Sequence, residues 1–205
     1  GLYEGAFYRS TDKKAPHNAY ASAEGIKKGI DKFNISTTYR DNYYDPNHFK
    51  FAPSKEPNTL EKYSDAVTAK EIDMSPAYPV TKTSFSYNES DGLYYRNMYG
   101  KADVDAANDN QQLAFKNVLV QFAYHEVRDA KGYLIFQVHD TTRDGYYFTN
   151  GKGIHVTWKK SADYEPTKYY DDDGNEIEIN TGKTMICIVK DGDSFKADGT
   201  ALKAK

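Results

Sequence analysis

From about residue 66 onward, apolar and polar side chains alternate with a period of two, the repeat of strands with one face buried. The alternation predicts strands over 81–88 and 92–99, with Glu89-Ser90-Asp91-Gly92 as the hairpin turn between them. Further strands are expected over 117–127, 133–139, 146–149 and 154–159, then a hairpin of 168–171 with 176–179 across Asp172-Asp173-Gly174-Asn175, and a last strand over 184–189. Strands spaced by about ten residues argue for an antiparallel sheet rolled or packed on itself. Residues 102–112 are polar and acid-rich and read as a loop with one helical turn, and the small, charged stretch after Lys190 reads as frayed.

The amino-terminal part follows a different rule. Ile26, Ile30 and Phe33 fall at i, i+4 and i+7, one stripe of a helix. Ser22 is placed to cap it and Glu24 to complement its dipole. Gly25 and Gly29 weaken the helix and mark close packing against another element. From 38 to 63 Tyr, Asp, Asn and Pro dominate, and Pro46, Pro53 and Pro57 break regular structure. That stretch reads as an extended connection, with Phe49 and Phe51 on one side anchoring it to a core. The expected class is α+β, predominantly antiparallel β with one amino-terminal helix region. The expected division is 1–63 for the helix and connection, 64–190 for the β domain and 191–205 for a tail.

Composition sharpens this picture at three points. Fifteen per cent of the 205 residues are aromatic and 19 are tyrosine, which is foreign to disordered chains and marks a folded protein. Tyrosine serves half-buried strand faces and the rims of binding surfaces alike, core use being the commoner. The net charge is −3, with lysines and acids interleaved rather than gathered in a basic stripe, so no nucleic acid is expected as a partner. The single cysteine, Cys187, excludes an internal disulfide, and its apolar neighbours Met185, Ile186, Ile188 and Val189 make it a small buried hydrophobe.

Candidate chemistry is sparse. Arg9, His17 and Asn18 precede the helix start, where free N–H groups can receive an anion; the plainer reading is that they satisfy loop backbone groups. The Asp171–Glu176 run fails the calcium-loop pattern, since glycine is not at position 6 nor glutamate at position 12. Asn150-Gly151-Lys152-Gly153 is followed by a strand rather than the helix a phosphate loop needs. Asp103, Asp105 and Asp109 with Glu126 offer carboxylates for a glycosidase-type pair, though acid-rich loops are usually only solvated. His125 and His139 lack metal-ligand spacing, and no cofactor or metal is expected. The most suggestive constellation is Trp158 with Tyr146, Tyr147, Tyr94, Tyr95 and Arg96: exposed aromatics beside charges stack on sugars or grip peptides, whereas buried ones only pack. Arg96 is alternatively the partner of an acid such as Asp105.

Two blocks resemble the YerB-like lipoprotein family of bacteria, a family of unknown activity. One runs from Phe7-Tyr8-Arg9 through Ala15-Pro16-His17-Asn18-Ala19-Tyr20 to Ser22. The other runs from Tyr94-Tyr95-Arg96 through Asn117-Val118, Gly153 and Trp158-Lys159-Lys160 to Asp173-Gly174 and Gly182-Lys183-Thr184. The connection between them carries only the Phe49/Phe51 pair, and Met185 stands where the family often has a second tryptophan. The resemblance implies a chain that begins partway through a first domain at Gly1, with an upstream segment and a lipid anchor outside the cytoplasmic membrane. It carries over no catalytic residue. The expected role is a non-catalytic extracytoplasmic module of the cell envelope that binds a cell-wall polymer or an envelope protein, or serves as a scaffold. Its ligand-binding candidates are Arg9, His17, Asn18, Tyr95, Arg96 and Trp158. The alternative is an envelope hydrolase with a carboxylate/His site.

Overall fold

The structure, a computed structural model, describes residues 7–38 and 48–205, which fall in two compact units, 1–44 and 45–205. In the first, β1 (Phe7–Arg9) pairs antiparallel with β2 (Ala19–Ala21), and α1 (Ala23–Phe33) follows. The helix starts where the sequence places it: Ser22 Oγ accepts the Gly25 N–H at 3.0 Å, and Asn34 ends it in the left-handed conformation. Its packed face, however, is that of Gly25 and Gly29, while Ile26 and Phe33 are about half exposed. The glycines, not the apolar stripe, are the helix's buried positions.

The second unit opens with β3 (Val67–Thr68), β4 (Glu71–Asp73), β5 (Ser84–Asn88) and β6 (Leu93–Met98). Short pieces follow: β7 (Lys101–Ala102), β8 (Val104–Asp105), β9 (Gln111–Gln112) and β10 (Ala114–Phe115). Then come β11 (Asn117–Ala123), β12 (His125–Val127), β13 (Leu134–Phe136), β14 (Thr141–Thr149) and β15 (Lys152–Lys160). The chain finishes with β16 (Lys168–Tyr170), β17 (Thr184–Lys190), β18 (Phe195–Ala197) and β19 (Thr200–Leu202).

Two sheets carry the fold. One is ordered β10-β6-β5-β4-β18-β19, with β7 beside β6; the other is ordered β16-β15-β14-β11-β17, with β3 beside β15. Pairing is antiparallel except between β11 and β17, which run parallel. Strand β11 explains the layering. All seven of its residues are buried, because both of its faces are covered. Val118, Val120 and Phe122 point into a core shared with Ile72, Phe85, Tyr94 and Phe195 of the other sheet. Leu119 and Ala123 point into a second core with Trp158, Tyr169, Ile179 and Leu60. Side chains alternate across a strand, so one strand feeds both cores.

Several expectations are corrected. The stretch after Lys190 is not frayed: β18 and β19 form a hairpin that extends the first sheet, and Phe195, Ala197 and Leu202 are buried there. Its three inward residues are separated by charged and small ones, which hides the alternation. Residues 102–112 form bridged strand pairs rather than a helical turn. The expected strand 117–127 is two, broken at Tyr124. Phe49 packs on the second core and stacks on Tyr169 at 6.4 Å, but Phe51 is 52% exposed; part of that connection, including Pro46, lies outside the described residues.

Candidate functional site

A groove of about 570 Å³ lies where β10 leaves the first sheet and β11 starts the second. Strand alternation sets one wall: Tyr94 points into the core, so Leu93 and Tyr95 point to the other face and line the groove. Strand β10 pairs Ala114 with Tyr95 and continues the wall, with Gln111 and Gln112 beside it. The facing wall is Thr181, Gly182 and Lys183, and Lys116 lies between. The Lys183 carbonyl accepts the N–H groups of both Lys116 (2.8 Å) and Asn117 (3.2 Å), which ties this turn to the strand junction.

Two polar side chains of the groove are held in place. Tyr95 Oη donates to Asp91 Oδ2 at 2.6 Å, and this bond raises the phenol's pKa above its usual value. Gln112 Nε2 donates to the Arg96 carbonyl at 2.8 Å and to Asn97 Oδ1 at 3.1 Å. A half-exposed ring, two amides and two ammonium groups form a surface suited to a polar, hydroxyl-rich ligand.

The candidates predicted from sequence do not gather at one place. Trp158 is 1% exposed and its indole N–H is spent on the Phe122 carbonyl at 3.0 Å. It belongs to the second core and offers no ring to a ligand, which corrects its assignment as a binding residue. Tyr94, Tyr146 and Tyr147 are likewise buried. Arg96, next to Tyr95, points to the opposite face, where its guanidinium pairs with Asp103 rather than with Asp105. In the first unit Arg9 Nη1 donates to Asn18 Oδ1 at 2.8 Å, and Asn18 Nδ2 donates to the Ser10 carbonyl at 2.8 Å. Asn18 is buried and clamps the β1–β2 hairpin, and His17 is exposed in the turn. The carboxylates Asp103, Asp105 and Glu126 serve separately an ion pair, a turn and a tyrosine hydroxyl.

Two histidine clusters carry no motif spacing: His155, Asp144 and Asp172 come from β15, β14 and the turn after β16, and Asp163 joins the adjacent His139 and Asp140 from a later loop. His155 Nε2 lies 3.2 Å from Asp144 and Nδ1 2.5 Å from Asp172, whose other oxygen pairs with Lys205. Burial opposes ionisation of Asp172, yet the bonds from Lys205 and His155 hold its carboxyl below the usual range. Both ring nitrogens of His155 face carboxylates, so neither is left to activate a nucleophile. His139 Nδ1 lies 2.7 Å from Asp140 and 3.2 Å from Asp163. These three exposed side chains are spaced as ligands of a divalent cation are, and also as an ordinary ion-paired histidine is. Among the described residues no helix is long and apolar enough to cross a membrane.

Comparison with known proteins gives one consistent answer. Residues 72–186 match the family described as "Protein of unknown function (DUF3048) C-terminal domain". The chain is 26% identical over 189 residues to "Putative lipoprotein YerB" of Bacillus subtilis (strain 168), an alignment covering 92% of this chain and 52% of that protein. The crystal structure of YerB from Bacillus subtilis has the same fold, with a TM-score of 0.68 at 21% identity, over 90% of this chain and 56% of that one. The chain thus spans about half the length of the curated relative it matches.

Proposed function

The chain belongs to the DUF3048 family, of which it carries the C-terminal domain, and on that premise we propose that it is a non-catalytic module of the bacterial cell envelope that binds a cell-wall polymer. Its relative is named a lipoprotein, which supports a place outside the cytoplasmic membrane, held by a lipid anchor upstream of these residues. The observation that carries the reading is the groove at the sheet junction. It presents the Tyr95 ring beside Leu93 and Ala114, and its polar lining is two amides, a hydroxyl and two ammonium groups. Sugar rings stack on such a tyrosine and hydrogen-bond to such a rim.

Co-sedimentation with purified cell-wall sacculi tests this. Wild-type protein is expected to pellet saturably, and Tyr95→Ala to lose most of that binding while keeping the same unfolding curve. Protein that stays in the supernatant at every sacculus concentration overturns polymer binding and directs attention to envelope proteins.

A further inference from the structure

We propose that the groove contains a subsite for an anionic group, a phosphate or a carboxylate, centred on Lys116 with Lys183 beside it. The inference rests on the reading of this groove as the binding site and names the chemistry of what enters it. Lys116 Nζ donates to Asn150 Oδ1 at 2.6 Å and to the Gly92 carbonyl at 3.3 Å. Both acceptors are neutral. Among the described residues no carboxylate oxygen lies within ion-pair distance of Lys116 or Lys183; the same holds for exposed lysines such as Lys55, Lys82 and Lys101, and Lys116 is set apart from these by being half-buried. Burial holds the Lys116 ammonium below its usual range, and Asp91 pulls weakly the other way. A partly desolvated charge without a counter-charge is costly, and the cost is recovered when an anion arrives. An ammonium has three donors; two are fixed on the protein, which leaves the third for a ligand.

The backbone is shaped around this side chain. A Cβ on Gly182 would stand 2.7 Å from Lys116 Cβ, and one on Gly92 3.2 Å from its Nζ. Both glycines have positive φ, +141° and +71°, so each is favoured by conformation, and Gly182 by space as well. Asn150 is in turn held by donating to the Asn58 carbonyl at 2.9 Å. The lysine is therefore pre-positioned; the residues lining the groove include no acid, and the nearby Asp91 is engaged by the Tyr95 hydroxyl. Fixed donors of this kind bind anions with little ordering cost.

The test uses the whole chain and inorganic phosphate as the probe at low salt, read by the amide resonances of Gly92, Lys116, Gly182 and Lys183. Wild type is expected to give saturable shifts at these four positions. Lys116→Met should weaken the affinity by about tenfold or more, and Lys183→Met by about threefold, consistent with one committed and one peripheral charge-assisted contact. Unfolding of Lys116→Met in urea should match wild type, since the variant also removes a desolvated charge. Phosphate shifts that never saturate, or that persist in Lys116→Met, overturn the subsite. A parallel arm compares intact sacculi with sacculi stripped of phosphate polymers. Binding lost on stripping assigns the anion to a phosphodiester polymer, and binding retained assigns it to wall carboxylates. Phosphate binding without sacculus binding leaves the subsite standing and removes the polymer reading. Sacculus binding that is indifferent to Lys116→Met does the reverse.

Discussion

Trp158 on β15 donates its indole N–H to the Phe122 carbonyl at 3.0 Å, so two strands that do not pair with each other are joined through a side chain. The ring is 1% exposed within the second core. Removing it loses its burial and leaves a cavity, so Trp158→Ala is expected to cost about 3–5 kcal/mol. Trp158→Phe keeps most of the packing and orphans the carbonyl, for about 1–3 kcal/mol. Urea denaturation followed by far-ultraviolet circular dichroism measures both. A loss below about 1 kcal/mol for the alanine variant would mean that this core relaxes around the gap.

The tyrosines fall into two kinds that one substitution separates. Tyr147 Oη donates to Asn117 Oδ1 at 2.8 Å and accepts the Asn180 N–H at 2.9 Å. All three residues are buried. Tyr147→Phe leaves both partners unsatisfied and should cost about 2–4 kcal/mol. Tyr95→Phe removes only a bond to the exposed Asp91, and should change stability by no more than about 0.5 kcal/mol. Equal losses in the two variants would contradict the buried network.

Local periodicity made the strands legible, but the partners of each strand were not. The hairpin of 81–88 with 92–99 and the capped helix are legible because turn residues and a cap are short-range signals. That β17 runs parallel to β11, some 67 positions away in register, follows from tertiary packing and has no local signature. The aromatic constellation misled for a related reason. Period two sends Tyr94 and Tyr95 to opposite faces, and sequence does not say which face is covered by a second sheet. Tyr95 therefore lines a groove while Trp158 is buried, and Lys116 carries no local signal. A lysine's lack of a counter-charge is visible only once the acids around it are placed.

Burial makes the fold sensitive to alkali. It raises the hydroxyl pKa of Tyr147 from 10.0 to about 12, with the Asn180 N–H opposing, and it raises those of Tyr78, Tyr94 and Tyr169 further. Tyr63 is pushed to about 12 by burial and by the neighbouring Asp171. The folded state thus keeps protons that the unfolded chain releases, so the stability is complete below about pH 10 and falls as pH rises towards the folded values. Tyr147 alone contributes a slope of about 1.4 kcal/mol per pH unit between pH 10 and 12. Tyrosinate absorbance at 295 nm should show the exposed phenols ionising first. The buried group should appear only with loss of circular dichroism. Smooth titration of all 19 tyrosines with the fold intact would refute this.

Cys187 offers a probe of how the core opens. It is 2% exposed in the core between the sheets, and burial pushes its thiol up to about 12. The thiolate is the reactive form, so at pH 8 iodoacetamide is expected to leave the native protein unlabelled over hours and to modify the urea-unfolded chain within minutes. Because Cys187 is the single cysteine, the label reports one site. Strand β17 is joined to the rest of its sheet only through β11, so labelling can follow either its local release or global unfolding. A labelling rate that rises with urea along the same slope as the unfolding equilibrium identifies global opening. A rate independent of urea, at concentrations well below the midpoint, identifies release of β17 alone, and would make the sheet edge beside Lys183 the least stable border of the groove.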